Sequence, residues 1–334
     1  MATVNLSAIR YSLVAILSSG GQISLETVAQ NIAWEENEKE LAVRLNITVR
    51  DVSHNGKQIA SQLALCTAVI LYYDLGYGPQ EAFRGTIWSW AHSQVRGDEI
   101  IITAYDMLYY LQKSEDYKFY SAGKTTKAIA ADILSTWNIP MGDYSAPSIT
   151  HEKMVFKAKA ISAMLTETMN EAVKKIGKKG IIRAKKGKCE FVKQGTNEEI
   201  WTFSSSSNLV TASDTYSMTD LVTRVQIFGK EDKEGTKRPP VAATENGATQ
   251  YGTLQKVILI GSSTIDDAKA EAKSILAEKG KPKRSIRLQS PDMPCIRKGD
   301  RIRVITDNID GYFFVLSVSH NATTMQMQME VEPA

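Results

Sequence analysis

The sequence predicts an α+β protein with two small β-barrel domains and an inserted α/β region. Near both ends of the chain, apolar residues alternate with polar ones, which is the pattern of half-buried strands. Between these regions the apolar spacing changes to three and four residues, which is the pattern of amphipathic helices. We therefore expect an N-terminal barrel in residues 1–105, an α/β insert in 106–215 and a C-terminal barrel in 216–334.

The composition is that of an ordinary globular protein. The chain has 334 residues, of which 43% are hydrophobic and 23% charged, so it can bury two or three domain cores. Its 40 basic and 37 acidic residues leave a formal charge of +3, which is too balanced for a protein that mainly wraps nucleic acid. Cys66, Cys189 and Cys295 form no CxxC pair, so we expect buried thiols in a protein folded in a reducing cytoplasm.

The longest apolar run near the start covers residues 11–17. It lies at the lower limit for the core of a secretory signal, and Arg10 is the only basic residue directly before it. No run in the sequence approaches the roughly 20 apolar residues that span a bilayer. We therefore expect neither a signal peptide nor a membrane anchor.

Extended segments predict the N-terminal barrel. In residues 41–50 every second residue is apolar, and the same kind of extended signal recurs in residues 25–34, 68–73, 82–93 and 99–105. Five strands at this spacing are typical of a small barrel or sandwich.

The insert begins where the period changes, at residues 105–111. Helical spacing follows in residues 124–137 and, more clearly, from about Phe156 to Ile176. The Gly123–Thr126 segment looks like the tail of a phosphate loop but lacks the earlier glycine, so we interpret it as a helix N-cap by Thr125 or Thr126. A hairpin with its turn at Gly187 follows.

The C-terminal region returns to strands. A strand in residues 221–228 precedes a polar loop predicted for residues 229–252, and an extended run leads to a capped helix at residues 264–279. Four further strands are predicted, in residues 285–288, 301–306, 312–320 and 325–331.

The residue types needed for catalysis do not occur in recognisable patterns. The four histidines, His54, His92, His151 and His320, form no metal-binding pair. There is no nucleophile elbow, phosphate loop or dinucleotide glycine motif. The acidic residues 35 and 36 are neighbours on a predicted strand, so their side chains point to opposite faces. The acidic residues 266 and 267 lie in the first turn of a predicted helix, where the helix dipole favours negative charge. We therefore expect no catalytic residue, cofactor or metal.

Basic residues are concentrated in residues 152–193, which contain twelve Lys or Arg and four Glu. This segment is either a solvated helix face and hairpin turn or a docking face for an acidic partner or a phosphate backbone. No aromatic interleaving supports the stacking of bases. The candidate docking face consists of Lys174, Lys175, Lys178, Lys179, Arg183, Lys185 and Lys186.

The C-terminal strands carry a family resemblance. Residues 298–304, Lys-Gly-Asp-Arg-Ile-Arg-Val, are followed by Gly311 to His320 and a methionine-rich last strand. This arrangement resembles the C-terminal barrel of baseplate hub proteins of contractile phage tails and R-type tailocins, the late control protein D group, and within it the PBSX-like XkdQ branch. The helix in residues 265–276, the 251–255 stretch and the Tyr105–Asp106 junction also fit, so the resemblance covers nearly the whole chain.

The resemblance implies a structural protein with no catalytic residues. It implies a homotrimeric ring, with residues 1–105 as a tube-like domain, that joins the sixfold tail tube to the threefold central spike and binds other baseplate proteins. DNA could pass through the lumen of such a ring. The protein would be made in the bacterial cytoplasm and become part of a virion or tail-like particle. The alternatives are a prophage-encoded peptidoglycan or peptide hydrolase and, third, a carbohydrate-binding or peptide-binding module.

Overall fold

The computed structural model describes residues 9–93, 98–230, 238–260 and 264–334. The chain divides into two compact units. The first consists of Met1–Ala212 and Arg287–Ala334, and the second is Ser213–Ile286.

The described residues before the insert form nine strands. They are β1 (Arg10–Ile16), β2 (Gln22–Ser24), β3 (Ala29–Glu36), β4 (Arg44–Arg50), β5 (Ser53–His54), β6 (Lys57–Gln58), β7 (Ala68–Asp74), β8 (Pro79–Ser93) and β9 (Glu99–Tyr105). A short 3₁₀ helix, Ile59–Ser61, follows β6. The alternation predicted for residues 41–50 is confirmed in β4, where Leu45, Ile47 and Val49 are buried while the residues between them are partly exposed.

Residues 106–204 of the insert contain three helices and six short strands. In chain order they are α1 (Leu108–Lys113), β10 (Glu115–Tyr120), α2 (Thr126–Thr136), β11 (Met141–Tyr144), β12 (Met154–Ala160), α3 (Ile161–Ile176), β13 (Gly180–Lys185), β14 (Lys188–Lys193) and β15 (Thr202–Ser204). The Thr125 hydroxyl accepts a hydrogen bond from the Ala128 amide, so the predicted N-cap is confirmed. The helices pack around a core that includes Phe156, Met164 and Phe191.

The prediction of a helix from about Phe156 is wrong for its first turn. Residues 154–160 form β12, which pairs with β10, and the helix begins at Ile161. Met154 and Phe156 are buried on alternate positions of this strand. Their spacing of two fits the strand, and the pairing with β10 satisfies backbone groups that a helix would otherwise satisfy internally.

The C-terminal strands of the first unit continue the N-terminal sheet. They are β21 (Arg301–Ile305), β22 (Asp310–Asn321) and β23 (Gln326–Pro333), and β16 (Thr211–Ser217) and β20 (Lys283–Pro291) run across the boundary of the two units. Hydrogen bonding within the first unit follows the order β20-β23-β22-β3-β4-β9-β8-β7-β1-β2, with β21 on β22 and β15 on β21.

Strand β22 joins the two groups of strands. Residues 318–321 pair antiparallel with residues 33–36 of β3, whereas residues 310–314 pair with β21. The strands predicted for two barrels therefore share one sheet, and its two ends do not pair with each other in the described part of the chain. The two-barrel organisation is not confirmed, and the division at residues 105 and 215 stays a prediction.

The second unit is a small α/β structure. It contains β17 (Arg224–Phe228), β18 (Val241–Asn246), β19 (Gln255–Leu259) and α4 (Ile265–Lys279). The helix predicted for residues 264–279 is confirmed, with Thr264 and Asp267 forming a reciprocal capping box. The loop predicted for residues 229–252 is wrong in part, because Val241–Asn246 pairs with β17; residues 231–237 of that loop lie outside the described ranges.

The three cysteines differ in exposure. Cys189 is buried and Cys295 is half-buried, and burial raises the pKa of both thiols, that of Cys295 to about 12. The expectation of a buried thiol is wrong for Cys66, which is exposed on a turn with a φ of 65°.

Candidate functional site

Six of the seven residues predicted as a docking face are exposed. They lie at the end of α3, in the loop after it and around the hairpin turn between β13 and β14: Lys174, Lys175, Lys178, Lys179, Lys185 and Lys186. Lys179 lies 3.2 Å from Glu332, and Lys185 lies 3.9 Å from Glu190. The surface is therefore basic, with part of its charge already paired.

Arg183 belongs to a different environment. Its side chain points toward Asp300, with an Nη1–Oδ1 distance of 3.2 Å, and lies 3.8 Å from Glu190. Asp300 is buried, and burial raises its pKa although Arg183 opposes the rise. Arg183 therefore forms part of a buried charge network rather than the exposed basic surface.

Arg297 is the centre of that buried charge network. Its Nε donates to Glu36 at 2.7 Å and its Nη1 donates to the Ala184 carbonyl at 2.8 Å, while its backbone amide donates to Asp300 at 2.9 Å. Burial disfavours the charged form of Glu36, but Arg297 outweighs this effect and lowers the pKa of Glu36. One guanidinium therefore connects the end of β3, the insert hairpin and the turn before β21.

Lys298 extends the same network on the next residue. Its ammonium group donates to the carbonyls of Asn37 at 3.0 Å and Glu40 at 2.5 Å. Burial lowers its pKa, and the nearby Glu36 opposes that change. The lysine thereby satisfies carbonyl groups of the loop that connects β3 to β4.

Asp106 is a buried carboxyl group beside this network. Its two oxygens accept hydrogen bonds from the Val43 amide at 2.9 Å and from the Leu108 amide at 2.8 Å. Burial raises its pKa to about 7 even though both hydrogen bonds favour the charged form. Asp106 thus joins β4 to the first turn of α1, at the junction between the sheet and the insert.

A small pocket lies between Asp106, Arg297 and the hairpin turn at Gly187. Its volume is about 30 Å³, which is enough to hold water. A pocket of this size is far smaller than the several hundred cubic ångströms of a typical ligand site. Its position beside buried charges suits a bridging water rather than a substrate.

His320 forms the first of two histidine networks that the sequence did not reveal. Its Nδ1 lies 2.6 Å from Asp292 Oδ1 and its Nε2 lies 3.1 Å from the Ile296 carbonyl. The other Asp292 oxygen accepts from the Tyr11 hydroxyl at 2.5 Å, and the imidazole stacks on Trp34 at 4.5 Å. Both ring nitrogens face fixed acceptors, so neither is available to activate a nucleophile.

His151 forms the second histidine network. Its Nε2 lies 2.8 Å from the Thr126 hydroxyl and its Nδ1 lies 2.8 Å from Glu171. This is the order of hydroxyl, base and carboxylate found in nucleophilic enzymes. However, Thr126 is only 1% exposed and its hydroxyl also accepts from the Ile149 amide at 3.1 Å. The arrangement holds α2 to α3 and gives a substrate no access.

No group of three or more His, Cys, Asp or Glu in the described residues could hold a metal ion. No helix in those residues is long and apolar enough to cross a membrane.

Comparison with protein families gives one match over most of the chain. A family model described as YqbQ-like matches residues 32–332. The curated protein YqbQ of Bacillus subtilis strain 168, described as uncharacterized, is 23% identical over 279 residues, which is 76% of this chain and 82% of that protein. The phage-like element PBSX protein XkdQ of the same strain is 22% identical over 279 residues, covering 82% of each protein.

Solved structures share the fold. The tail protein from Neisseria meningitidis MC58 matches with a TM-score of 0.70 at 14% identity, covering 96% of both chains. An E. coli component of the type VI secretion system, described as structurally similar to the T4 tail proteins gp27 and gp5, matches with a TM-score of 0.56 at 12% identity. That match covers 98% of this chain and 76% of the other.

Substitution of either partner in the Arg297–Glu36 pair should destabilise the first unit. Arg297→Met leaves Glu36 buried without its counterion, and Glu36→Gln does the same to Arg297, so we expect each change to lower the free energy of unfolding by about 3–5 kcal/mol. Urea unfolding followed by circular dichroism measures this change. The double variant should recover part of the loss, and additive losses would contradict a direct pairing.

Asp106 should make stability depend on pH. The folded protein keeps the proton of Asp106 up to a pKa of about 7, whereas the unfolded chain releases it near the ordinary aspartate pKa of 3.8. The free energy of unfolding should therefore fall as the pH rises from about 4 to 7, by at most about 4 kcal/mol at about 1.4 kcal/mol per pKa unit.

The Asp106→Asn variant tests this pH dependence. Asparagine has no proton to release, so the stability difference between variant and wild type should shift in favour of the variant as the pH rises through this range. The lost acceptor costs the variant a constant amount, which leaves the slope unaffected. The exposed Asp143→Asn is the matched control. A difference that is constant between pH 4 and 7 would contradict the prediction.

Proposed function

The chain belongs to the YqbQ-like family, and from this premise we infer that it is a structural protein of a phage tail or baseplate. We propose further that it is the hub of that baseplate, forming a homotrimeric ring between the sixfold tail tube and the threefold spike. The fold match with a tail protein over 96% of both chains is the observation that carries the proposal.

The proposed trimer depends on symmetry. A tail tube consists of sixfold rings of β-structured subunits and a spike is threefold, so the part between them must present six similar surfaces on one side. A chain with two similar groups of strands presents six such surfaces when three copies form a ring. Two strand groups, from β1 to β9 and from β20 to β23, meet at β22 in this protein. Two strand groups of one sheet, rather than two closed barrels, would supply the paired surfaces.

The proposed partners follow from this position. They are the tail tube protein, the central spike and other baseplate proteins, and the ring would leave a lumen through which DNA could pass. We place the protein in the virion or in a tail-like particle, either a phage or an R-type tailocin. The exposed lysines of the predicted docking face would lie outside the ring and meet an acidic baseplate partner.

The hydrolase alternative finds little support in the described residues. The arrangement that most resembles a catalytic group, Thr126–His151–Glu171, has a buried hydroxyl, and both nitrogens of His320 face structural acceptors. The pocket beside Asp106 has room for water but not for a substrate. We therefore expect the protein to act through binding and assembly.

The mass of the purified protein tests the hub proposal. Native mass spectrometry or sedimentation should give about three times the chain mass of 36.9 kDa. Sheet edges left open in the monomer would be covered across the subunit contacts, so dilution should reduce solubility together with the trimer fraction. A stable, soluble monomer throughout the micromolar range would contradict the proposal.

Charge reversal tests the basic docking face. Replacing Lys174, Lys175, Lys178 and Lys179 by Glu should weaken incorporation into particles while leaving the fold intact, because exposed substitutions usually change stability by no more than about 0.5 kcal/mol each. Replacing the same four residues by Arg retains the charge and is the matched control. Normal particle assembly with all four residues reversed would show that the segment is only a solvated face.

A further inference from the structure

The two-stranded sheet of the insert has an unusual outer face. β10 and β12 bury Tyr120, Met154 and Phe156 on the side that packs on the helices. On the opposite side, Tyr117 is 60% exposed and Phe119 is 56% exposed. The outer face of a half-buried antiparallel pair is ordinarily polar, so two exposed aromatic side chains on it need an explanation.

The exposed apolar side chains on this outer face are neighbours. Phe119 lies directly opposite Val155, which is itself 39% exposed, and opposite side chains on one face lie about 5 Å apart. Tyr117 is two residues before Phe119 on the same strand and therefore on the same face. The three side chains form one contiguous patch, and aromatic residues of this kind are the usual anchors of protein interfaces.

Two lysines flank this patch. Lys153, the residue before β12, and Lys157 of β12 lie two residues on either side of Val155 and are exposed. The Lys153 ammonium lies 5.2 Å from the centre of the Phe119 ring. Lys159 is different, because it forms an ion pair with Glu167. On β10, Glu115 shares the outer face with Tyr117 and Phe119 but lies at the far end of the strand. The patch is therefore aromatic at its centre and positively charged on the β12 side.

No further strand pairs with β12 in the described residues. In the described ranges, β10 and β12 form a sheet of two strands only. On the β10 side, Lys118 and Tyr120 both bond to Asp132 of α2, so that helix borders β10. A strand added beside β12 would place its outward side chains next to Lys153, Val155 and Lys157.

We propose that this outer face, defined by Tyr117, Phe119, Lys153, Val155 and Lys157, binds an extended segment of a partner protein. The segment carries acidic side chains four residues apart with an apolar side chain midway. Such carboxylates lie about 13 Å apart in an extended chain, which matches the spacing expected for Lys153 and Lys157, also four residues apart. This names the chemistry of one baseplate partner and so rests on the proposed function.

Peptide binding to the full-length protein tests the inference. One fluorescent peptide carries two glutamates four residues apart around a valine, and a second carries lysines in their place. Fluorescence anisotropy should show the acidic peptide binding at least about tenfold more tightly, since two cross-strand charge pairs contribute about 1.4 kcal/mol together. Equal affinities for the two peptides, or no binding of either, would overturn the inference.

Charge-reversed variants make the test specific to this face. Lys153→Glu with Lys157→Glu should reverse the preference between the two peptides, and Tyr117→Ser with Phe119→Ser should weaken binding of both. Lys39→Glu with Lys57→Glu changes the charge equally at exposed sites elsewhere and should leave the preference unchanged. If the control pair lowers acidic-peptide binding as much as the first pair, the attraction is non-specific and the inference fails.

The oligomeric state of the same samples separates the two proposals. Native mass measured with and without peptide reports the trimer independently of the peptide preference. A monomer that still prefers the acidic peptide would contradict the hub proposal and support peptide binding by the outer face of β10 and β12. A trimer with no preference between the peptides would contradict only the proposal for this outer face.

Discussion

The burial of Arg297 is the constraint on which the first unit depends. A guanidinium out of water is costly unless its donors find acceptors, and here two acceptors come from distant parts of the chain. Glu36 ends a strand of the N-terminal sheet, and Ala184 lies in the insert hairpin. Asp300, three residues after Arg297, accepts from the Arg297 backbone amide and so fixes the turn that carries the side chain. The guanidinium meets both of its acceptors only when the sheet, the hairpin and this turn are in place, so the ionic network favours that arrangement of the unit.

The histidine networks apply the same principle at other contacts. His320 connects β22 with the loop at Asp292 and stacks on Trp34 of β3, next to the strand pairing that joins the two ends of the chain. His151 connects two helices of the insert through Thr126 and Glu171. Each histidine satisfies both ring nitrogens within the protein. Polar groups that could suggest catalysis thus act as directional contacts between distant segments of the chain.

Sequence patterns predicted the local elements better than their connections. The alternation in β4, the cap at Thr125 and the capping box of α4 depend on neighbouring residues, so the sequence contains their full signal. The pairing of β3 with β22 depends on residues nearly the full chain length apart, and strand periodicity does not identify a partner. The start of α3 was placed too early because Phe156 and Ala160 are four residues apart, as on one face of a helix, whereas Met154 and Phe156 are two apart, as on one face of a strand. The same distinction holds for the candidate site. The exposed lysines could be recognised from their charge, whereas Arg183 and the two histidines meet their partners only in the folded chain.

The position of β22 also has a consequence for synthesis of the protein. During translation, the ribosome completes β3 and β4 long before residues 318–321 emerge. Throughout that interval one edge of β3 has no strand beside it, and unpaired edges favour aggregation. Contacts between such distant residues also slow folding. The nascent chain therefore needs protection at this edge, and a truncated product that ends before β22 would be a target for chaperones and proteases rather than a smaller version of the same protein.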